Sequence, residues 1–335
     1  MTLAFVCGCA GATLTPEERA FLRDARPWGL ILFKRNVVDR EQLRALIQSF
    51  RDCLGRADAP ALIDQEGGRV QRLGPPLWPA YPAAARFEGA SEPARAAWLA
   101  ARLIAHDLGE VGVAVDCAPV LDVGDPGAHA VIGERAFSRA PERVATLGRA
   151  VCDGLIAGGV LPVVKHIPGH GRARADSHLE LPVVAASRSE LAGRDFVPFA
   201  ALRDAPMAMT AHVVFSAIDP EFPATTSPIV VREIIRGAIG FDGLILSDDL
   251  SMKALSGPLA GRARAAFAAG LDIALHCNGD LGEARAVAES APELAGAALR
   301  RAEAALARVA AGPQPFDVAA GRAELAASLP AQTTA

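Results

Sequence analysis

An α/β fold, a single-domain (β/α)8 TIM-type barrel, is predicted by three observations on this chain of 335 residues. Short apolar or β-branched runs alternate with longer Ala/Leu/Arg/Glu segments whose apolar positions recur at helical spacing. The runs are apolar throughout rather than alternating, as strands covered on both faces are. Polar cassettes follow several of them at once: Asp64-Gln65-Glu66-Gly67-Gly68-Arg69, Lys165-His166-Ile167-Pro168-Gly169-His170-Gly171, Asp176-Ser177-His178 and Ser247-Asp248-Asp249. Functional groups collected at the ends of successive parallel strands are the mark of an enzyme built on a barrel.

In chain order the strand candidates are Leu3–Cys7, Gly29–Phe33, Pro60–Asp64, Ala114–Ala118, Leu161–Lys165, Ala208–Ala211, Leu244–Ser247 and Ile273–His276. Between them the helical spacing predicts helices over Pro16–Ala25, Arg40–Cys53, Glu92–Gly109, Pro141–Ala157, Glu190–Leu202, Pro228–Gly237, Arg262–Ala269 and Asp280–Glu289. Thr15-Pro16-Glu17-Glu18 reads as a helix start, with an N-cap, Pro at N1 and acids in the first turn. Right-handed crossovers then put the C-terminal strand ends on one rim. That rim carries Asp64, Asp116, Lys165, His166, His212, Asp248 and His276. An open doubly wound sheet is the rival fold, but it would concentrate a site near one switch point. From Ala291 the pattern stays helical to Val309. The domain boundaries are placed at 1–311 for the barrel and 312–335 for a C-terminal surface tail.

Composition narrows the function. The chain is 51% apolar and 21% charged, and 34 basic residues nearly balance 38 acidic ones. Nothing in that balance predicts a nucleic-acid or polybasic membrane role. Only Lys34, Lys165 and Lys253 among the basic residues are lysines, so Lys165 inside a cassette carries some weight. The cysteines, Cys7, Cys9, Cys53, Cys117, Cys152 and Cys277, fall in or beside predicted strands and helices, where a free Cys acts as a small buried hydrophobe. Cys7-Gly8-Cys9 lacks redox or zinc spacing. Reduced thiols, the lack of a signal-peptide pattern and the lack of a membrane-length apolar run give the expectation of a cytoplasmic protein, with no membrane partner. No cofactor and no metal is expected, and the chain is expected to be monomeric.

The cassettes suggest cleavage of a glycosidic bond. Asp248 follows an apolar strand, where a carboxylate is well placed as nucleophile or as partner to a developing cation. Asp249 competes for that role, and either could instead cap the following segment; Asp248 is preferred because it is closer to the strand end. Asp176 and His178 are two apart, so in an extended loop both side chains share a side and the carboxylate can hold the imidazole. His178 could then protonate a leaving oxygen and later activate water. The Gly169–Ala175 loop has glycines to bend and few residues to anchor it, and is expected to move. Asp64, with Arg69 and Arg72 brought back by Gly67-Gly68, makes a polar grip for a pyranose ring. Arg135 is a second candidate, although an exposed arginine is unremarkable in this chain. Lys165-His166 could bind hydroxyls or tie down Asp64 and Asp248.

Together Ile63–Arg72, Lys165-His166-x-Pro168-Gly169-His170-Gly171, Asp176-Ser177-His178, Met209-Thr210-Ala211-His212 and Ser247–Met252 resemble the bacterial β-N-acetylhexosaminidases of glycoside hydrolase family 3. The motifs stand in the family's order over roughly residues 3–300. The resemblance implies a retaining mechanism with Asp248 as nucleophile and His178 as acid/base oriented by Asp176. It implies that Asp64, Arg72, Arg135, Lys165 and His166 hold a non-reducing N-acetylglucosamine (GlcNAc). Its implied substrate is GlcNAc-1,6-anhydro-N-acetylmuramic acid and its peptide-linked muropeptide forms, in peptidoglycan recycling. The family's β-glucosidases usually carry a second domain that supplies an acidic catalyst; Asp-Ser-His without that domain favours the hexosaminidase branch. Three rivals remain distinguishable by assay. They are a metal-dependent hydrolase using His166, His170, His178, His212 and Asp248, a phosphorylase on the same fold, and a non-catalytic sugar-binding protein.

Overall fold

A computed structural model describes residues 1–177 and 179–330. Its frame is a closed barrel of eight parallel strands: β1 Leu3–Cys7, β2 Pro27–Leu32, β3 Ala61–Ile63, β4 Val115–Asp116, β5 Leu161–Ile167, β6 Met207–Thr210, β7 Leu244–Asp249 and β8 Ile273–His276. Each pairs with its sequence neighbour, and β8 closes on β1 through Phe5↔Ala274, Val6↔Leu275 and Cys7↔His276. The expected fold and all eight strands are therefore present.

Successive strand residues point to opposite faces. One row, including Val6, Ile31, Leu62, Val115, Val163, Met209, Leu246 and Leu275, packs within the barrel. The other row, including Phe5, Leu30, Ile63, Val164, Ala208 and Ile245, packs outward against helices. This parity sorts the strand-end side chains between the cleft and the outer layer, except at His166, where the register shifts between Lys165 and Ile167.

Helices α1 Pro16–Ala25, α2 Arg40–Leu54, α3 Pro93–Val111 and α4 Pro141–Ala157 lie close to their expected limits. The Thr15 hydroxyl accepts the Glu18 N–H and Glu18 reaches back, completing the capping box that the sequence signals. The expected Glu190–Leu202 helix is instead two pieces, α5 Arg188–Ala192 and α6 Val197–Ala201. Pro198 is the reason: its ring and missing N–H prevent a helix from running through it, so it opens the second piece. The expected Pro228–Gly237 helix is a wide π-type helix over Val230–Ala238. Helices α7 Leu259–Ala269, α8 Leu281–Ala288 and α9 Gly296–Ala307 follow. All six cysteines are free and buried. No helix among the described residues is long and apolar enough to cross a membrane.

Beyond Gly312, in the stretch expected as a surface tail, α10 Val318–Ser328 lies against α3 with Leu325 buried. The Phe316 ring meets Trp98 edge-on at 5.9 Å, and Arg322 Nη2 donates to Asp107 Oδ1 at 3.0 Å. The other oxygen of Asp107 accepts the Tyr81 hydroxyl at 2.6 Å. Tyr81 in turn accepts from the Gly68 N–H through its carbonyl and donates its own N–H to Gln71 Oε1, both at 2.9 Å. The C-terminal helix is thereby clasped to the hairpin that follows β3.

Candidate active site

At the C-terminal mouth the inward row brings Phe33, Asp64, Lys165, Met209, Asp248 and Cys277 to line one cleft. The antiparallel hairpin of Gln65–Gly67 with Val70–Gln71 adds Glu66 and Arg72 to the same wall. Gly67 makes this turn possible: at φ 91° a Cβ there would stand 2.3 Å from the Pro82 carbonyl oxygen.

Five charged side chains form an alternating chain along this wall. Arg72 Nη2 donates to Asp64 Oδ2 at 2.9 Å, and Lys165 Nζ donates to Asp64 Oδ1 at 2.9 Å. Lys165 also meets Glu66 Oε1 at 2.7 Å, and Arg135 grips both Glu66 oxygens at 2.8 Å. Burial alone would raise the carboxyls. Lys165 and Arg72 override it at Asp64, and Lys165 and Arg135 at Glu66, so both are held below the usual carboxylate range. Glu66 was not picked out by the sequence reading as a participant, although it lies inside the first cassette; alternation from Asp64 places it on the hairpin with the same orientation.

Asp248 stands apart from that chain. Its Oδ1 accepts the Asp249 N–H at 2.8 Å, and among the described residues no Lys or Arg forms a salt bridge with it. Burial would raise its pKa, but His212, His166, the Asp249 N–H and Lys165 hold the carboxyl below its ordinary value. Asp249 ties down the loop: it accepts from the Ser251 N–H at 3.0 Å, the Ser251 hydroxyl at 2.6 Å and the Cys277 N–H at 3.1 Å. His212 clamps the same backbone from behind, its Nε2 3.0 Å from the Asp249 carbonyl and its Nδ1 2.7 Å from the Thr225 hydroxyl.

His166 lines the cleft with its Nδ1 2.7 Å from Asp122 Oδ2. Asp122 also accepts the backbone N–H groups of His166 at 3.3 Å and His170 at 2.6 Å. Burial would raise this carboxyl, and His166 and His170 keep it below the usual range. Sequence reading missed Asp122, which looks like any loop acid after an apolar run. Asp122→Asn would present an amide N–H to His166 Nδ1 and leave one donor unmet. It is expected to lower kcat/KM about 10- to 100-fold. Steady-state kinetics beside a circular-dichroism melt check this, the melt separating loss of fold from loss of orientation.

Several rim assignments are corrected by parity. Asp116 and His276 belong to the outward row. Asp116 Oδ1 accepts the Gln65 N–H at 2.9 Å and props the hairpin, while His276 Nε2 sits 3.1 Å from Glu283 Oε2. Arg69 does not line the cleft; it donates to the carbonyls of Ala130 at 2.8 Å and Val131 at 2.5 Å. The Gly169–Ala175 loop is anchored, against expectation. His170 and Ala173 are buried, the His129 N–H donates to the Ala173 carbonyl at 2.9 Å, and Arg172 pairs with Asp195 at 2.7 Å rather than facing the cleft. Burial lowers the His170 imidazole to about 4, and its Nε2 lies 3.2 Å from the Ser177 hydroxyl. Asp176 accepts the N–H groups of Leu179 at 2.8 Å and Glu180 at 3.0 Å through its carbonyl. The His178 assignment lies outside the described residues.

Residues 8–311 match the glycosyl hydrolase family 3 N terminal domain. A beta-hexosaminidase of Alkalilimnicola ehrlichii is 44% identical over 285 residues, covering 81% of this chain and 79% of that protein. One of Pseudomonas aeruginosa is 43% identical over 297 residues, covering 87% and 84%. The crystal structure of NagZ from Neisseria gonorrhoeae in complex with N-trifluoroacetyl-D-glucosamine superposes with a TM-score of 0.85 at 35% identity, covering 97% of both chains. A barrel carrying a cation-balanced carboxylate wall beside a strand-end aspartate that no Lys or Arg pairs among the described residues, matched over most of its length by these proteins, belongs to glycosyl hydrolase family 3 as an enzyme closely related to the NagZ-type β-N-acetylhexosaminidases.

Proposed function

We propose that this chain is a retaining exo-β-N-acetylglucosaminidase that releases non-reducing terminal GlcNAc from GlcNAc-1,6-anhydroMurNAc and its peptide-linked forms, in cytoplasmic peptidoglycan recycling. The observation that carries the reading is the pairing pattern of the cleft carboxylates. Asp64 and Glu66 are occupied by cations and Asp249 by loop N–H groups, which leaves Asp248 as the one positioned to attack. Two catalytic steps follow. Asp248 bonds to the anomeric carbon as the leaving oxygen takes a proton from His178, the acid/base oriented by Asp176. Water, giving its proton back to His178, then displaces Asp248, and two inversions amount to net retention.

Asp64, Arg72, Arg135, Lys165 and His166 hold the sugar in this scheme. Asp64, still accepting from two cations, keeps oxygen lone pairs for sugar hydroxyls, and the cations donate to hydroxyl oxygens. The test is release from 4-nitrophenyl N-acetyl-β-glucosaminide and from the corresponding β-glucoside, in phosphate-free buffer with EDTA. Turnover of the first with little of the second, and the β-anomer of GlcNAc as first product by NMR, is the expected result. Release that depends on added phosphate, or binding without turnover, would overturn it.

A further inference from the structure

A charge account of the cleft leaves one cation over. Arg72, Lys165 and Arg135 each hold a carboxylate, whereas Arg35, which lines the same cleft, forms no ion pair among the described residues. Its guanidinium is nonetheless fixed. Nε donates to the Cys9 carbonyl at 3.0 Å, Nη2 donates to the Cys277 carbonyl, and the Cζ stands 4.8 Å from the centre of the Phe33 ring. The same ring also meets Arg72, at 5.0 Å, so Arg35 and the sugar grip share one aromatic neighbour. Nη1 has no acceptor among the described residues. The rotamer cost of ordering a long side chain is met by these contacts before any ligand arrives. A guanidinium so placed is preorganised for an anion.

We infer that Arg35 is a specificity-determining residue that binds a carboxylate carried by the leaving group, outside the pyranose held by Asp64 and its partners. This rests on the proposed function, whose peptide-free leaving sugar bears a lactyl carboxylate; in the peptide-linked forms that carboxyl is an amide, so the charge met by Arg35 distinguishes the two. Among the arginines and lysines lining the cleft, Arg35 alone has no protein carboxylate balancing its charge among the described residues. Its neighbour Lys34 is exposed and does not line the cleft, which makes it a matched control for loss of one positive charge nearby.

The experiment compares GlcNAc-1,6-anhydroMurNAc with the amide of its lactyl carboxylate and with 4-nitrophenyl N-acetyl-β-glucosaminide, for the unaltered enzyme, R35M and K34M. The unaltered enzyme is expected to prefer the free acid over the amide, and R35M to lower that acid-to-amide ratio of kcat/KM about tenfold, the weight of one charge-assisted hydrogen bond. K34M should leave the ratio within about twofold. A ratio that R35M leaves unchanged, or that K34M lowers equally, overturns the role of Arg35 while leaving the glycosidase reading intact. An unaltered enzyme indifferent to the carboxylate overturns it too. Failure to cleave any of the three substrates removes the functional reading and this inference with it. R35K, which keeps the charge but not the fork, should restore part of the ratio and separates loss of charge from loss of loop packing.

Discussion

Asp248→Ala is expected to lower kcat/KM for 4-nitrophenyl N-acetyl-β-glucosaminide by about 10^4-fold or more, because the covalent half of the reaction disappears with the carboxylate. The fold should survive, since the side chain's hydrogen bond is to its own neighbour, the Asp249 N–H. Two further results would be specific to a nucleophile. Azide should restore turnover of the activated substrate and deliver the α-glycosyl azide, the product of a single inversion. A fluorinated glycosyl probe should label the unaltered enzyme, with the added mass on the peptide containing Asp248, and leave the variant unlabelled. A variant that still formed the adduct would remove Asp248 from the role.

Lys165→Met should show the largest combined effect on stability and activity. Lys165 is 2% exposed and lies between two carboxylates, and its loss leaves Asp64 and Glu66 side by side with one guanidinium each. Breaking a buried ionic network by removing one member costs about 3–5 kcal/mol. kcat/KM should fall about 100-fold or more, as the sugar grip loses a donor and its geometry. The pH dependence gives the sign. Asp64 and Glu66 are held below their unfolded values, so their stabilisation is complete above the ordinary carboxylate range and is lost as pH falls through and below it. In the variant much of that contribution is already absent. Urea unfolding should therefore show the gap between the two proteins at its widest near neutral pH and narrowing on acidification. A gap that stayed constant would place the destabilisation in packing rather than in charge.

The strands were legible because each is apolar on both faces and ends abruptly in polar groups, a pattern that local sequence displays in full. Helix limits were nearly as clear where caps mark them, as at Thr15 and Glu18. The Glu190–Leu202 segment misled because its apolar spacing continues across Pro198 while the backbone cannot. At the site, Asp64, Lys165 and Asp248 share an inward parity with Leu62, Val163 and Leu246, and sequence already contained that signal. The same count sets aside Asp116 and His276, but also His166, which lines the cleft where the register shifts between Lys165 and Ile167. Asp122 carried no comparable mark. Its importance arises from loops separated by more than forty residues meeting at one carboxylate, which periodicity cannot report. The anchoring of the Gly169–Ala175 loop was hidden for a related reason: its contacts, to His129 and Asp195, come from segments remote in sequence.

The clasp of α10 on α3 places a condition on how the sugar-binding turn becomes rigid. Arg322 reaches Asp107 across 215 residues, and Asp107 holds the Tyr81 that fixes Gly68 and Gln71. Contacts so distant along the chain carry a large loop-closure cost. The hairpin that presents Asp64, Glu66 and Arg72 is thus tied to a helix from the other end of the chain, although it is itself made in the first quarter. If the clasp couples the two, a cut near Gly312 is expected to speed hydrogen exchange at Gly68, and unchanged exchange there would show that the hairpin holds without α10.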